Sequence, residues 1–242
     1  MELTPEDADR SARYKKIVAD PEGMDRLLAE LFLDAHRGAP SEIWLDLDAT
    51  DDPVHGQQEG RFFHGYYGHY CYLPLYIFSG EHVLRARLRP SNIDASAGSV
   101  EELTRIVAQI RARWPATRII IRGDSGFCRE AIMAWCEGSG VDYLLGLAKN
   151  ERLARLSLRQ RLRAQQAFLH SAQAARVFGE LTYRTRESWS RARRVVVKAE
   201  HLAQGANPRY VATSLSAEEA DARTLYEDLY CARGDMENRI KE

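Results

Sequence analysis

The stretch Ser41–Thr50, SEIWLDLDAT, decides how the rest of the chain is read. Ile43, Trp44, Leu45 and Leu47 mark a short buried strand over residues 42–49, and Asp46 and Asp48, two apart, point to one face of it. Acidic side chains on a core strand are costly to desolvate unless a cation compensates them. For hard carboxylate oxygens that cation is usually a divalent metal. The competing reading is an ordinary strand end, with Asp48 opening the turn at Asp51-Asp52-Pro53.

Downstream lies HGQQEGRFFHGYYGHY (residues 55–70), a loop dense in glycine, aromatics and histidine. The spacing of His55, His64 and His69 matches no structural zinc pattern, so they are expected to pack and hydrogen-bond. Cys71–Phe78 and His82–Leu88, joined at Ser79-Gly80, read as a hairpin. Ser99 with Glu102 forms a capping box before the apolar set Val100, Leu103, Ile106, Val107, Ile110 and Trp114. Ile119-Ile120-Ile121 is a buried strand running into Arg122-Gly123-Asp124-Ser125-Gly126-Phe127, where the glycines are expected to let the backbone turn sharply. A helix over 129–137 and a buried strand over 143–148 come next. A hairpin succeeded by strand–helix–strand crossovers predicts a mixed α/β sheet. Asp48 and Asp124 then stand at the carboxyl ends of neighbouring strands, placed to share metal ions. Taken alone, Asp124 also reads as a cap for the following helix.

Upstream, residues 1–40 predict a helical lead-in interrupted at Pro21-Glu22-Gly23. Beyond residue 149 come a basic helical segment (150–176), three strands (177–183, 194–199 and 209–213) and a helix over 216–230 capped by Ser216 with Glu219 at its third position. The chain breaks at Gly234 and resumes with Asp235–Lys241.

Across 242 residues, 45% hydrophobic and 29% charged content describes a soluble globular protein, and no apolar run reaches membrane-spanning length. Four dispersed cysteines without a CxxC pair exclude a disulfide framework or zinc site and fit a reducing cytoplasm. The net charge of −1 hides an asymmetry. Between Glu151 and Glu200, eleven arginines and Lys198 face four glutamates, a net charge of +8. Arginine suits bidentate phosphate contacts, so a basic segment beside an acidic core points to nucleic acid chemistry. A solvated, arginine-rich helix face is the bland alternative.

Three phrases together, Asp48-Ala49-Thr50, Arg122–Phe127 and Tyr230–Glu237 (YCARGDME), resemble a bacterial insertion-sequence DDE transposase. More narrowly they resemble the group with the Y-x2-R-x3-E-x6-K signature: Tyr230, Arg233 and Glu237 match its first three positions, its lysine would fall past the last residue, and Lys241 is at the wrong distance. The resemblance spans nearly the whole chain. It implies a ribonuclease H-like fold, a mixed sheet flanked by helices, with a β-rich insertion between the second aspartate and the glutamate. The corresponding division is a lead-in (1–40), the first part of the core (41–149), a basic helical and β-strand insertion (150–214) and carboxyl-terminal helices completing the core (215–242).

The mechanism it implies is cleavage and strand transfer by Asp48, Asp124 and Glu237 holding two Mg2+ (or Mn2+) per site, with Asp46 the rival for the first position. Tyr230 and Arg233 are expected to contact phosphate near the cut. In the insertion, Trp189, flanked by Arg191, Arg193 and Arg194, is expected either to stack on an unpaired base or to fill the insertion's own core. The implied partner is double-stranded DNA, at transposon ends and target. Synapsis of those ends implies a homodimer, acting in the bacterial cytoplasm at the nucleoid. Complete members of the group carry further segments at both ends, so the chain is expected to be a fragment. The alternatives are an inactive remnant that binds DNA or a full-length partner, and a nuclease of the same fold without strand transfer.

Overall fold

The structure is a computed structural model that describes residues 20–234 together with Met236 and Ile240. Helix α1 (Pro21–Asp34) begins where the sequence suggested an interruption: Asp20 caps it by accepting the Gly23 N–H at 2.9 Å, and proline occupies the first turn, where it forfeits no intrahelical hydrogen bond. Strand β1 (Glu42–Ala49) then enters the centre of the molecule.

Residues 52–72, read as a loop and the start of a strand, form a small separate antiparallel sheet: β2 (Asp52–Pro53), β3 (Phe62–His64) and β4 (His69–Tyr72), with β4 central. Its strands are too short to show alternation in sequence. The predicted hairpin is β5 (Leu75–Ser79) with β6 (His82–Arg87). Helix α2 (Ser99–Arg113), β7 (Arg118–Gly123), α3 (Glu130–Ser139) and β8 (Asp142–Leu147) succeed it in the expected order.

Among the described residues one nine-stranded sheet holds the fold. The run β6-β5-β1-β7-β8 has β1, β7 and β8 mutually parallel and the hairpin antiparallel beside β1. This is the expected ribonuclease H-like mixed α/β sheet, flanked by helices. The basic segment is two helices, α4 (Glu151–Leu156, capped by Asn150) and α5 (Leu158–Ser171). Strands β9 (Ala175–Tyr183), β10 (Arg193–Leu202), β11 (Gly205–Ala206) and β12 (Arg209–Thr213) do not stand apart as a small sheet. Strand β12 pairs with β8 and carries the others, extending the central sheet.

The two faces of the sheet are chemically distinct. Ile43, Leu45 and Leu47 of β1 lie with Ile119, Ile121, Tyr143 and Leu145 under Leu103, Ile106 and Ile110 of α2 and Ile132 and Met133 of α3, all at most 3% exposed. Each such aliphatic side chain contributes roughly 1.5–3 kcal/mol on burial. The capping box predicted for α2 is not made: Gly98 is the cap, and Glu102 instead binds Arg87 (Nε, 2.8 Å) and Arg85 (Nε, 2.9 Å) of β6. Arg85, 1% exposed, also reaches Asp25 of α1 at 3.0 Å, so one ion network ties two helices to the sheet edge.

The opposite face carries Trp44, Ile120, Leu144 and Val211 and is covered by Leu225 and Tyr226 of the carboxyl-terminal segment. The expected helix over 216–230 is built in steps. Ser216 and Glu219 exchange the predicted capping-box bonds around a turn. Asp221 then caps α6 (Ala222–Thr224), which continues as π-helical turns over Leu225–Tyr230 and a 3-10 turn over Cys231–Arg233. Cys71, Cys128, Cys136 and Cys231 are all free thiols, and burial pushes the Cys128 thiol up to about 12. No helix among the described residues is long and apolar enough to cross a membrane.

Candidate active site

The parallel register pairs Asp46 with Arg122 and Leu47 with Gly123, so Asp48 and Asp124 stand one step further on, side by side at the carboxyl ends of β1 and β7. By strand alternation both project to the face covered by the carboxyl-terminal segment, as Asp46 does. The two β1 aspartates have different surroundings. Asp46, 4% exposed, is gripped by the Arg122 fork, with Nε to Oδ1 at 2.6 Å and Nη2 to Oδ2 at 2.7 Å. Arg122 also lies 4.8 Å from the Trp44 ring centroid and donates to the Leu229 carbonyl at 2.8 Å. With both oxygens of Asp46 occupied in this bidentate pair, Asp48 is the β1 carboxylate facing the open end of the sheet.

Asp124 does not cap α3, whose cap position is Arg129. Its Oδ1 accepts the Gly126 N–H at 2.8 Å, closing a tight local turn. Gly123 and Gly126 adopt no positive φ, so they serve proximity rather than an unusual backbone conformation. A β-carbon on Gly123 would stand 2.9 Å from the Phe127 β-carbon, and one on Gly126 would stand 3.0 Å from Asp124 Oδ1.

The carboxyl-terminal segment brings Tyr230 and Arg233 over these carboxylates. Arg233 Nη1 stands 3.6 Å from Asp48 Oδ1, both side chains being largely covered. The Tyr230 hydroxyl fits only because residue 146 is glycine; a β-carbon there would collide with it. Burial pushes the Tyr230 phenol above its ordinary range, and Asp124 adds to the effect, so it stays protonated. Glu237 lies outside the described residues. Among the described residues no cluster of three or more His, Cys, Asp or Glu forms a ready metal cage. Two adjacent hard-oxygen donors remain a chemically suitable partial set for a cation that keeps several waters and takes phosphate oxygens, as Mg2+ does.

Sequence reasoning missed Tyr67. It comes from the small sheet after β1, and burial followed by Asp51, Asp48 and Asp124 pushes its phenol up to about 12. The only sequence signal was the aromatic density of GYYG. Of the loop histidines, His69 pairs with Asp51 at 2.7 Å as expected, the His64 ring packs 4.8 Å from that of Tyr67 with its Nδ1 buried and without a hydrogen-bond partner among the described residues, and His55 is exposed.

The insertion residues expected at DNA have internal partners. Trp189 is 3% exposed, with its ring edge-on to Tyr183 at 5.5 Å and Arg193 5.4 Å over it. Base stacking is closed to it while it is buried here, and the core it fills is the main one, continuous with β1, α2 and α3, rather than a small core of the insertion's own. Arg193, 5% exposed, binds Glu130 and Glu137 at 2.7 Å each, which pushes the Glu130 carboxyl down to about 2. Arg194 donates to the carbonyls of Leu215, Ser216 and Ala220, and Arg191 pairs with Glu137 at 2.9 Å while remaining largely exposed. The clustered positive charge of the sequence is thus partly consumed inside the fold.

Between Asp124 and the end of β12 the surface opens into a cleft of about 460 Å3, lined in part by Lys149, Arg209, Tyr226, Tyr230 and Arg233.

No curated protein sequence matches the chain. Among solved structures, the chain is similar to Marinitoga piezophila Argonaute in complex with a 5′-OH guide RNA and target DNA, at 8% identity and a TM-score of 0.32. The match covers 78% of this chain and 26% of that one. The model of the family "Transposase DDE domain group 1" matches residues 3–242, so the chain belongs to that DDE transposase family.

Proposed function

We propose that the chain is the catalytic domain of an insertion-sequence transposase that cuts DNA ends and joins them to a target by metal-dependent phosphoryl transfer. The observation that carries this reading is the pairing of Asp48 with Asp124 at the ends of adjacent parallel strands, with Asp46 withdrawn into the Arg122 fork. Asp48 and Asp124, with Glu237 as third ligand, would hold the divalent ions, two Mg2+ or Mn2+ per site. When bound, these supply Lewis acidity to the phosphoryl oxygens and lower the pKa of the attacking water or 3′-hydroxyl.

The chain's own side chains do the rest. Arg233, held close to Asp48, donates to a non-bridging oxygen of the scissile phosphate, where charge-assisted bonds are strongest. The protonated Tyr230 hydroxyl donates beside it. The Asp46–Arg122 fork keeps the ends of β1 and β7 in register, fixing the separation of the two carboxylates. Double-stranded DNA is the partner, synapsis of two ends calls for a homodimer, and the setting is the bacterial cytoplasm at the nucleoid.

The test is a nicking and joining assay with duplexes bearing the parent element's ends, in Mg2+ or Mn2+. Asp124→Asn or Asp48→Asn is expected to lose more than about 100-fold in rate, beyond the usual loss for a partner one shell further from a metal. Metal-dependent nicking without joining supports a nuclease of this fold. Salt-sensitive DNA binding without cleavage in the unaltered chain supports the inactive remnant.

A further inference from the structure

We infer that the cleft on the β8–β12 side of Asp124 is a second phosphate subsite, in which Lys149 and Arg209 hold a backbone phosphodiester near the one being cut, on the same DNA strand. The inference rests on the transposase reading for the identity of the ligand. The cleft shares Asp124, Tyr230 and Arg233 with the proposed metal site, while Lys149 and Arg209 lie outside that set.

Strands β8 and β12 pair antiparallel with Tyr210 opposite Leu147, so Arg209 lies beside the segment running from Leu147 to Lys149 at the mouth of the cleft. Asp124 and Ser125 form the opposite wall, and Tyr226 and Tyr230 cover it from the carboxyl-terminal segment. The cleft, about 460 Å3, falls in the size range of small-ligand sites and admits a nucleotide's phosphate and sugar.

The charges at this mouth are matched differently from those elsewhere in the fold. Lys198 is bound to Glu200 at 2.9 Å, Arg176 to Glu200 at 2.7 Å, Arg193 to two glutamates, and Arg122 to Asp46. Lys149 instead donates at 3.3 Å to the neutral amide oxygen of Asn207, and Arg209 makes no ion pair among the described residues. The two cations also repel each other: the Lys149 ammonium is held below its ordinary range by burial, then by Arg209 and Lys198. Like charges brought together with no ion-pair partner among the described residues are relieved by an arriving anion, and a phosphodiester supplies one between them. A strand entering here continues directly to Asp124, so the subsite fixes which phosphate reaches the carboxylates.

The experiment measures binding of the 242-residue chain to a short labelled duplex without divalent metal, by fluorescence anisotropy, over about 50–200 mM salt. The slope of log K against log salt is expected to become shallower by about 1 in Lys149→Gln or Arg209→Gln, and by about 2 in the double variant. The charge-keeping pair Lys149→Arg/Arg209→Lys should retain the unaltered slope. Arg26→Gln/Arg37→Gln, which removes the same charge from exposed positions on and after α1, should also leave it unchanged. Both target side chains are exposed, and a circular-dichroism melt confirms that the variants fold.

An unchanged slope in the double variant, while the unaltered chain binds with salt dependence, overturns the subsite and leaves the transposase reading standing. An equal loss in the α1 control overturns it as well. DNA binding that is absent or insensitive to salt overturns the subsite and the DNA reading together. Loss of slope in the double variant of a chain that does not cleave upholds the subsite and removes only the catalytic reading.

Discussion

Asp46 and Asp48 lie two residues apart on one face of one strand, yet their surroundings are opposite in kind. Asp46 receives two hydrogen bonds from Arg122 and is sealed under Trp44 and the carboxyl-terminal segment, whereas Asp48 lies at the open end beside Asp124, with Arg233 at 3.6 Å. The arginine-rich half repeats the contrast. Arg193 is buried between Glu130 and Glu137, while Lys149 and Arg209 share a cleft mouth without a carboxylate partner among the described residues. Sequence counts all of these as charges of one kind. In the fold, charges matched by a buried opposite charge hold the protein together, and charges left facing a cleft are available to a ligand.

Removing one partner from a closed pair should cost most. Arg122→Met leaves Asp46 buried without its cation and is expected to destabilise the fold by about 3–5 kcal/mol. Equilibrium urea denaturation checks this, and a loss under about 1 kcal/mol, the range of an exposed pair, would break the distinction between closed and open pairs.

Next comes the Glu130–Arg193 pair, through its dependence on pH. The folded Glu130 carboxyl sits at about 2 against an ordinary value of 4.5, so the pair's stabilisation is fully present above pH 4.5 and is lost as pH falls towards 2. Discounted for solvent screening of a partly exposed carboxyl, its size is on the order of 2 kcal/mol. Melting curves from pH 7 to 2 should show that loss in the unaltered chain and a flatter profile in Glu130→Gln.

Gly146→Ala tests the open site by crowding rather than by charge. Its β-carbon would meet the Tyr230 hydroxyl, at a cost of about 1–3 kcal/mol, and pairing it with Tyr230→Phe should return most of that. A thermal melt of the single and double variants separates the outcomes; no recovery in the double variant would place the strain elsewhere.

The smallest effect is expected from Lys149→Gln, whose stability should stay within about 0.5 kcal/mol of the parent, because no buried opposite charge loses its partner. A loss comparable to that of Arg122→Met would show that the cleft mouth is structural after all.

The legible parts of this chain were those written in local pattern. The buried runs of β1, β7 and β8, the β5–β6 hairpin and the aspartates at the strand ends all stem from apolar periodicity and turn residues. What escaped depended on distant partners. Glu102 has the spacing of a capping box, but two arginines of β6, more than a dozen positions away, take its carboxylate. Arg193 reads as a surface cation until Glu130 and Glu137, 63 and 56 positions earlier, are brought beneath it. Tyr67 carried no signal beyond aromatic density, because its approach to the carboxylates depends on the two- to four-residue strands of the small sheet. Glu237 is expected from the resemblance carried by its spacing to Tyr230 and Arg233, and it falls outside the described residues.

The π-helical turns at Leu225–Tyr230 act as an indexing step for the residues beyond them. A wide turn holds one residue more than an α-turn, so the extra residue is absorbed there; were the same residues wound as plain α-helix, everything past them would be turned by about 100° and carried on by about 1.5 Å along the axis. Arg233 would then swing away from Asp48 while every side chain before Leu225 kept its place. A single deletion between 225 and 229, by contrast, closes the wide turn to an α-turn and keeps the guanidinium at the carboxylate end of the sheet.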